Sequence, residues 1–261
     1  SNVARSLVLN LDQSLLQEVA LQASVKDKVV KTVLTGQRYP YASRDLNYDF
    51  FAFRLDVPAG ETMKVDFSIQ TYFAAIFIPS LVSEDKFLQQ ITFDGRFAGS
   101  VMGMLYSIVF FLFIYVLYVR RFGIEFAMWL FAVMSLCSAM YMAGIFQRSI
   151  PDAYSEWRDI IYVWIEGLHG IAFAWLLCSY YRTAEKYRFM HQGCQLFGAV
   201  IGLCMLLVPW VVFGFLMQGL LIANTLLMVT GFVFSLWVLA AGREEKKLFS
   251  IGIVLFVVMT M

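Results

Sequence analysis

The chain has 261 residues, 60% of them hydrophobic and 15% charged, with a formal net charge of +1 and a mean hydropathy of +0.70. Soluble domains hold about half apolar residues, so this composition argues against a single soluble domain. A net charge this small gives no electrostatic reason to expect a nucleic-acid partner.

The charge is unevenly spread. Residues 1–96 hold 10 of the 20 Lys and Arg and 11 of the 19 Asp and Glu. The remainder is long apolar runs with short charged breaks. Two domains of an α+β chain are expected. The first is an all-β, jelly-roll-like domain over 1–92, truncated at its start. The second is an all-α transmembrane helix bundle over 97–261.

The clearest strand is TMKVDFSIQ, Thr62 to Gln70, where Met63, Val65, Phe67 and Ile69 alternate with Lys64, Asp66 and Ser68. Period two places one set on a buried face and the other in water. FAFRLDV repeats the pattern with Phe51, Phe53, Leu55 and Val57, and PAGE between the two runs supplies a turn through Pro58 and Gly60. Weaker strands are expected near Ser6–Leu11, Glu18–Ala23 and Lys28–Leu34, and FAAIFIP closes the set before Pro79. Short strands at this spacing fit a β-sandwich or jelly roll.

Five apolar spans follow, Gly99–Val119, Phe126–Phe146, Ile160–Tyr181, Cys194–Phe215 and Leu220–Ala241, and a sixth begins at Leu248. A span needs ~20 residues to cross ~30 Å of hydrocarbon, and the last run, LFSIGIVLFVVMTM, is shorter than that. There is no initiator Met and no signal peptide, so both ends read as cut. Lys and Arg in the connections set the orientation. Arg120, Arg121, Arg182, Lys186, Arg188, Arg243, Lys246 and Lys247 share one side, and Arg148 and Arg158 lie on the other. The first side is expected to be cytoplasmic, with the β domain outside, in the periplasm if the cell is Gram-negative.

The stretch GQRYPYASRDLNYDFFAFRLDVPAGETMKVDFSIQT joins a Gly, a Pro–aromatic pair, an Arg, an aromatic strand and a P-A-G turn. FIPSLVSEDKFLQQ follows as an exit toward the membrane, GSVMGMLYSIVFFLF opens the first span, and GIFQRSIPDAYSEW joins the second span to the third. In these stretches the chain resembles the bacterial seven-transmembrane receptors with diverse intracellular signalling modules, the 7TMR-DISM family. The resemblance implies an extracytoplasmic jelly-roll sensor similar to carbohydrate-binding domains. It also implies a cytoplasmic output such as a histidine kinase, a diguanylate cyclase or a phosphatase, and a homodimer in the full-length form. The alternative reading is a membrane transporter or channel.

Several residues are singled out. Arg38, Tyr39, Tyr41 and Arg44 concentrate in one loop, where guanidinium groups and aromatic faces suit sugars, carboxylates or phosphates. The same loop could instead be solvated or packed on the membrane domain. Glu166 and His169 lie three residues apart on one face of the third span, so they either pack as polar glue or switch with receptor state. Asn224 and Thr225 in the fifth span are candidate partners. Gly99, Gly103 and Ser107 in the first span, and Gly198 and Gly202 in the fourth, form small-residue ridges suited to close helix packing, within the bundle or as a dimer seam.

Pro209 is expected to bend the fourth span. Two histidines at different depths, His169 and His191, cannot share a haem. No dense His, Cys or carboxylate cluster suggests a metal, and no catalytic motif is present. No cofactor and no catalytic residue is expected in this segment. The expected partners are a small-molecule or carbohydrate ligand and membrane lipid.

Overall fold

The computed structural model describes residues 4–71, 79–119, 123–208, 213–241 and 250–253. The chain divides into two compact units. One holds Ser1–Tyr106 and Cys137–Tyr162, the other Ser107–Leu136 and Val163–Met261.

The first unit is built on six strands: β1 Arg5–Asn10, β2 Glu18–Val25, β3 Lys28–Thr35, β4 Ala52–Val57, β5 Met63–Gln70 and β6 Ser80–Ser83. They form two antiparallel three-stranded sheets, ordered β4-β1-β6 and β3-β2-β5. Leu9, Phe53 and Leu55 from one sheet meet Val19, Leu21 and Ala23 from the other, with Leu11, Leu16 and Phe51 closing the core. The alternation read from the sequence is therefore a sandwich, with one apolar row of each sheet turned inward.

Met63, Val65 and Ile69 of β5 pack on this core. Phe67 has the same parity but is 40% exposed, because β5 is an edge strand. The turn at PAGE is as expected, with the Glu61 amide donating to the Pro58 carbonyl and Gly60 at φ 74°. A jelly roll has about eight strands; the described residues supply six, in two sheets. Of the run expected to close the set, residues 73–78 lie outside the described residues. Ser80–Ser83 is a strand that alternation did not announce, paired with β1.

Helix α1, Glu84–Val119, begins directly after β6. Its first turns cover the outer face of the first sheet, where Phe87 and Ile91 pack with Val8, Tyr48 and Ala52. The first expected span is the later part of this one 36-residue helix. Helix α2, Ile124–Met142, ends at Gly144 in the left-handed conformation, and the short α3, Ile145–Ser149, follows.

Helix α4, Ser155–Tyr181, is the third span. It buries Ala172, Phe173 and Leu177 within the second unit. The short α5, Thr183–Lys186, leads into α6, Arg188–Leu207, and α7 runs Phe213–Ala240. Among the described residues, five helices are long and apolar enough to cross a membrane. Arg120, Arg121, Pro209, Arg243, Lys246 and Lys247 lie outside the described residues. So does most of the sixth run, of which 250–253 is helical.

Candidate functional site

The first unit joins two loops far apart in sequence. After β3 the backbone crosses the start of β2: the Gln37 amide donates to the Leu16 carbonyl at 2.8 Å and the Arg38 amide to the Gln17 carbonyl at 3.4 Å. This delivers residues 37–44 to the segment that leads into α4. There Arg158 is only 2% exposed. Its Nη1 donates to the carbonyls of Gln37, at 3.1 Å, and Tyr39, at 3.2 Å. Its Nη2 donates to the Ile150 carbonyl and to Asp152 Oδ1, both at 3.0 Å. The planar fork of a guanidinium meets four acceptors at once, which a lysine cannot do.

Supporting bonds surround this clamp. Ser14 Oγ donates to the Met142 carbonyl at 2.8 Å, Gln37 Nε2 to Tyr141 Oη at 3.5 Å, and Tyr141 Oη to the Arg158 carbonyl at 3.2 Å.

A cleft of about 390 Å³ opens beside the clamp, lined by Tyr41, Asn47, Arg148, Ile150, Pro151 and Asp152. Arg148 Nε donates to Tyr41 Oη at 2.9 Å and faces Asp49 at 2.8 Å. Tyr41 Oη in turn donates to Asn47 Oδ1 at 3.2 Å, and the Tyr41 amide donates to Asp152 Oδ1 at 3.0 Å. That amide, followed by the Arg158 guanidinium, holds the Asp152 carboxyl below the usual carboxylate range. The cleft thus presents an ionised carboxylate, a guanidinium, an amide and a phenol, half exposed, beside the apolar edges of Ile150 and Pro151.

The four residues singled out in the 38–44 loop have different positions. Tyr41 lines the cleft. Tyr39 Oη donates to Glu18 Oε2 at 2.9 Å, which raises the phenol's pKa. Arg38 has an exposed side chain. Arg44 turns inward: Nη1 donates to the carbonyls of Tyr48, at 2.8 Å, and Asp49, at 2.6 Å, and the guanidinium lies over the rings of Tyr41 and Phe51. Burial lowers its pKa to about 10, so it stays charged near neutrality. Arg44 therefore shapes the 44–51 turn beneath Tyr41. The rest of the cleft comes from Asn47, Arg148 and Asp152, which sequence reasoning missed as site residues. Arg148 and Arg158 entered there only as loop charges.

Residues 1–83 match the family model described as 7TMR-DISM extracellular 2. The match ends where β6 ends, at Ser83. Residues 1–83 are therefore similar to the extracellular domain of the 7TMR-DISM family. No curated protein and no solved structure matches it. A 7TMR-DISM extracellular domain followed by apolar helices makes this a multi-pass membrane protein and a transmembrane receptor.

In the second unit, the polar residues of the third span have partners on three helices. His169 is buried, stacks on Phe131 at 4.9 Å and shares a 3.1 Å hydrogen bond between Nε2 and Ser135 Oγ. The Glu166 carbonyl accepts from Asn224 Nδ2 at 3.0 Å. Asn224 thus meets the expected region of α4 through the backbone, and Thr225 is exposed. Tyr181 Oη bonds to Ser235 Oγ at 3.1 Å and Ser250 Oγ at 2.7 Å, a buried hydroxyl trio with no sequence signature.

The small-residue ridges have a different outcome. Among the described residues, a Cβ placed on Gly99, Gly103, Gly198 or Gly202 meets no atom within 4 Å, and Ser107 is exposed. The close approaches fall at Gly167, Gly170 and Gly231, which carry the interior of α4 and α7. A Cβ on Gly170 would overlap Asn224 Oδ1 and come within 3.0 Å of Ile201 Cδ1. Because both obstacles are side-chain ends, Gly170→Ala is expected to cost about 1–2 kcal/mol. A thermal-denaturation series in detergent checks this. Asn224→Ala on top of Gly170→Ala should cost less than the sum of the two single changes, since the residues share one contact.

Proposed function

We propose that this receptor senses a small polyhydroxylated ligand, carbohydrate-like in chemistry, in the cleft of its extracytoplasmic head. Occupancy is then passed to α4 through Arg158. The observation that carries the reading is the double use of Asp152. Its Oδ1 accepts from the Tyr41 amide in the cleft wall and from the Arg158 guanidinium at the start of α4.

A ring hydroxyl can exchange hydrogen bonds with Asp152, Asn47 and Arg148, while a sugar face rests on Tyr41. A ligand that competes for Asp152 changes the loop–helix clamp directly. Such a relay needs two states of the head that differ in affinity for the ligand. In this reading the segment acts by binding and relay, not by catalysis. It sits in the bacterial inner membrane with the head outside, works as a homodimer, and drives a cytoplasmic output module such as a histidine kinase or diguanylate cyclase.

Titration of the purified chain in detergent with a panel of neutral and acidic oligosaccharides, read by calorimetry, tests the ligand. At least one is expected to bind, and Arg148→Ala and Tyr41→Ala are each expected to weaken it about tenfold with the melting temperature kept. Absence of binding across the panel, or affinity indifferent to both changes, rejects the reading.

A further inference from the structure

A second concavity lies in the other unit, where the start of α6 meets the end of α7. Its volume is about 660 Å³. Val229, Val233 and Trp237 recur every four residues along α7 and form one wall. Tyr187 closes the other side, with its ring 5.1 Å from Phe234 and 5.7 Å from Trp237, both edge-on. The start of α6 therefore packs beside the last turns of α7, so the two helices run antiparallel. Val233 is 58% and Trp237 50% exposed. Arg188, the first residue of α6, stands at the mouth of the groove.

Charge and polarity are arranged along one axis. Arg182, Lys186 and Arg188 gather at the α4–α6 connection, all exposed, against the single carboxylate of Glu185. From Trp237 back to Val229 the wall is apolar and runs about 12 Å along the helix. That is close to one leaflet, about half of the ~30 Å hydrocarbon core. Tyr and Trp belong at the level where hydrocarbon gives way to headgroups, and both sit at the basic end. An aqueous solute would leave the apolar wall unsatisfied. A neutral lipid would fill the wall but leave the cations without a counter-charge.

We propose that this groove is a binding site for one anionic phospholipid of the surrounding bilayer. One acyl chain lies against Val229, Val233 and Trp237. The headgroup phosphate takes the Arg188 guanidinium, with Arg182 and Lys186 adding to the local positive field. Because the site bridges α6 and α7, the bound lipid fastens that helix pair.

Native mass spectrometry of the whole chain, released from nanodiscs of phosphatidylglycerol and phosphatidylcholine in equal parts, reads the retained lipid directly. Phosphatidylglycerol is expected to be retained about fivefold over phosphatidylcholine. Arg188→Ala is expected to remove that preference, Arg188→Lys to keep part of it, and Val233→Trp to reduce retention of both lipids by filling the groove. Inorganic phosphate at millimolar concentration is expected not to displace the lipid, which separates a lipid site from a free-anion site.

Equal retention of the two lipids by the unaltered chain overturns the proposal. So does a preference that survives Arg188→Ala, or displacement by phosphate alone. A second copy of the chain retained in place of lipid overturns it as well. Arg188 is exposed, so its replacement decides the matter even if Val233→Trp does not fold.

Discussion

Arg158→Leu is expected to loosen the head of this receptor by about 3 kcal/mol and to uncouple it from α4. Leucine approximates the buried volume of the arginine stem but supplies no donor. The carbonyls of Gln37, Tyr39 and Ile150 would each lose a charge-assisted hydrogen bond, and a buried acceptor left without a partner costs about 1–3 kcal/mol. The ion pair adds little to this sum, because Asp152 is 46% exposed and solvent screens it. Breaking a fully buried pair would cost more. Arg158→Lys should fall between, since one ammonium cannot span acceptors on both loops.

Limited proteolysis is the direct readout. Cleavage within 37–49 should accelerate in the leucine variant, while segments of α6 and α7 keep their protection. If the loop is cut no faster, the clamp does not hold it. A second readout separates stability from relay: oligosaccharide binding should weaken but stay measurable in Arg158→Leu, because Tyr41, Asn47 and Arg148 keep their side chains on a looser loop, whereas signalling by a full-length receptor should not respond to occupancy.

The sandwich was legible because strand alternation is a local property. Phe51, Phe53 and Leu55 announce a half-buried strand regardless of what they pack against, and they form the core as expected. Phe67 shows the limit of that signal. It keeps the period, but edge position is decided by which strand pairs with which, and that lies beyond one segment's pattern. Ser80–Ser83 was missed for a related reason: four residues give too few repeats for a period.

The cleft was half legible. RYPYASR drew attention because aromatic and cationic residues crowd a short loop, and Tyr41 does line the cavity. Asn47, Arg148 and Asp152 come from elsewhere in the sequence, and only the fold brings them to Tyr41. Arg158 illustrates the same gap. In the sequence it is a loop cation beside a span; its burial arises from three carbonyls and a carboxylate supplied by two loops.

Glycine spacing alone does not locate the close approaches. Gly99 and Gly103 have the four-residue spacing of a packing ridge, yet spacing says which face is smooth and not whether another helix covers it. Gly167 and Gly170, three apart around the polar third span, meet Met205, Ile201 and Asn224. A glycine beside Glu166 and His169 could have been weighed as a sign that neighbours press close there.

The second large effect is expected at Gly36. It is the first residue after β3, at φ 150°, a backbone region that side chains rarely adopt. A Cβ there would lie 2.6 Å from the Gln17 carbonyl carbon and 2.8 Å from Glu18 Cα. These atoms are backbone, and Glu18 opens the central strand β2, whose partners are β3 and β5. Unlike the side-chain ends near Gly170, they cannot rotate away. Relief requires moving the exit of β3, which would break the Gln37 amide bond to the Leu16 carbonyl and displace the Gln37 and Tyr39 carbonyls that Arg158 holds.

Gly36→Ala is therefore expected to cost about 3 kcal/mol or more, combining backbone strain with overpacking. Its consequence should also reach the start of α4. Hydrogen exchange should show lost protection at Gln37 and Tyr39 together with residues 158–160. Exchange confined to residues 35–38 would show that the strand exit and the helix start are independent, and the route from cleft to span proposed for this receptor would have to run elsewhere.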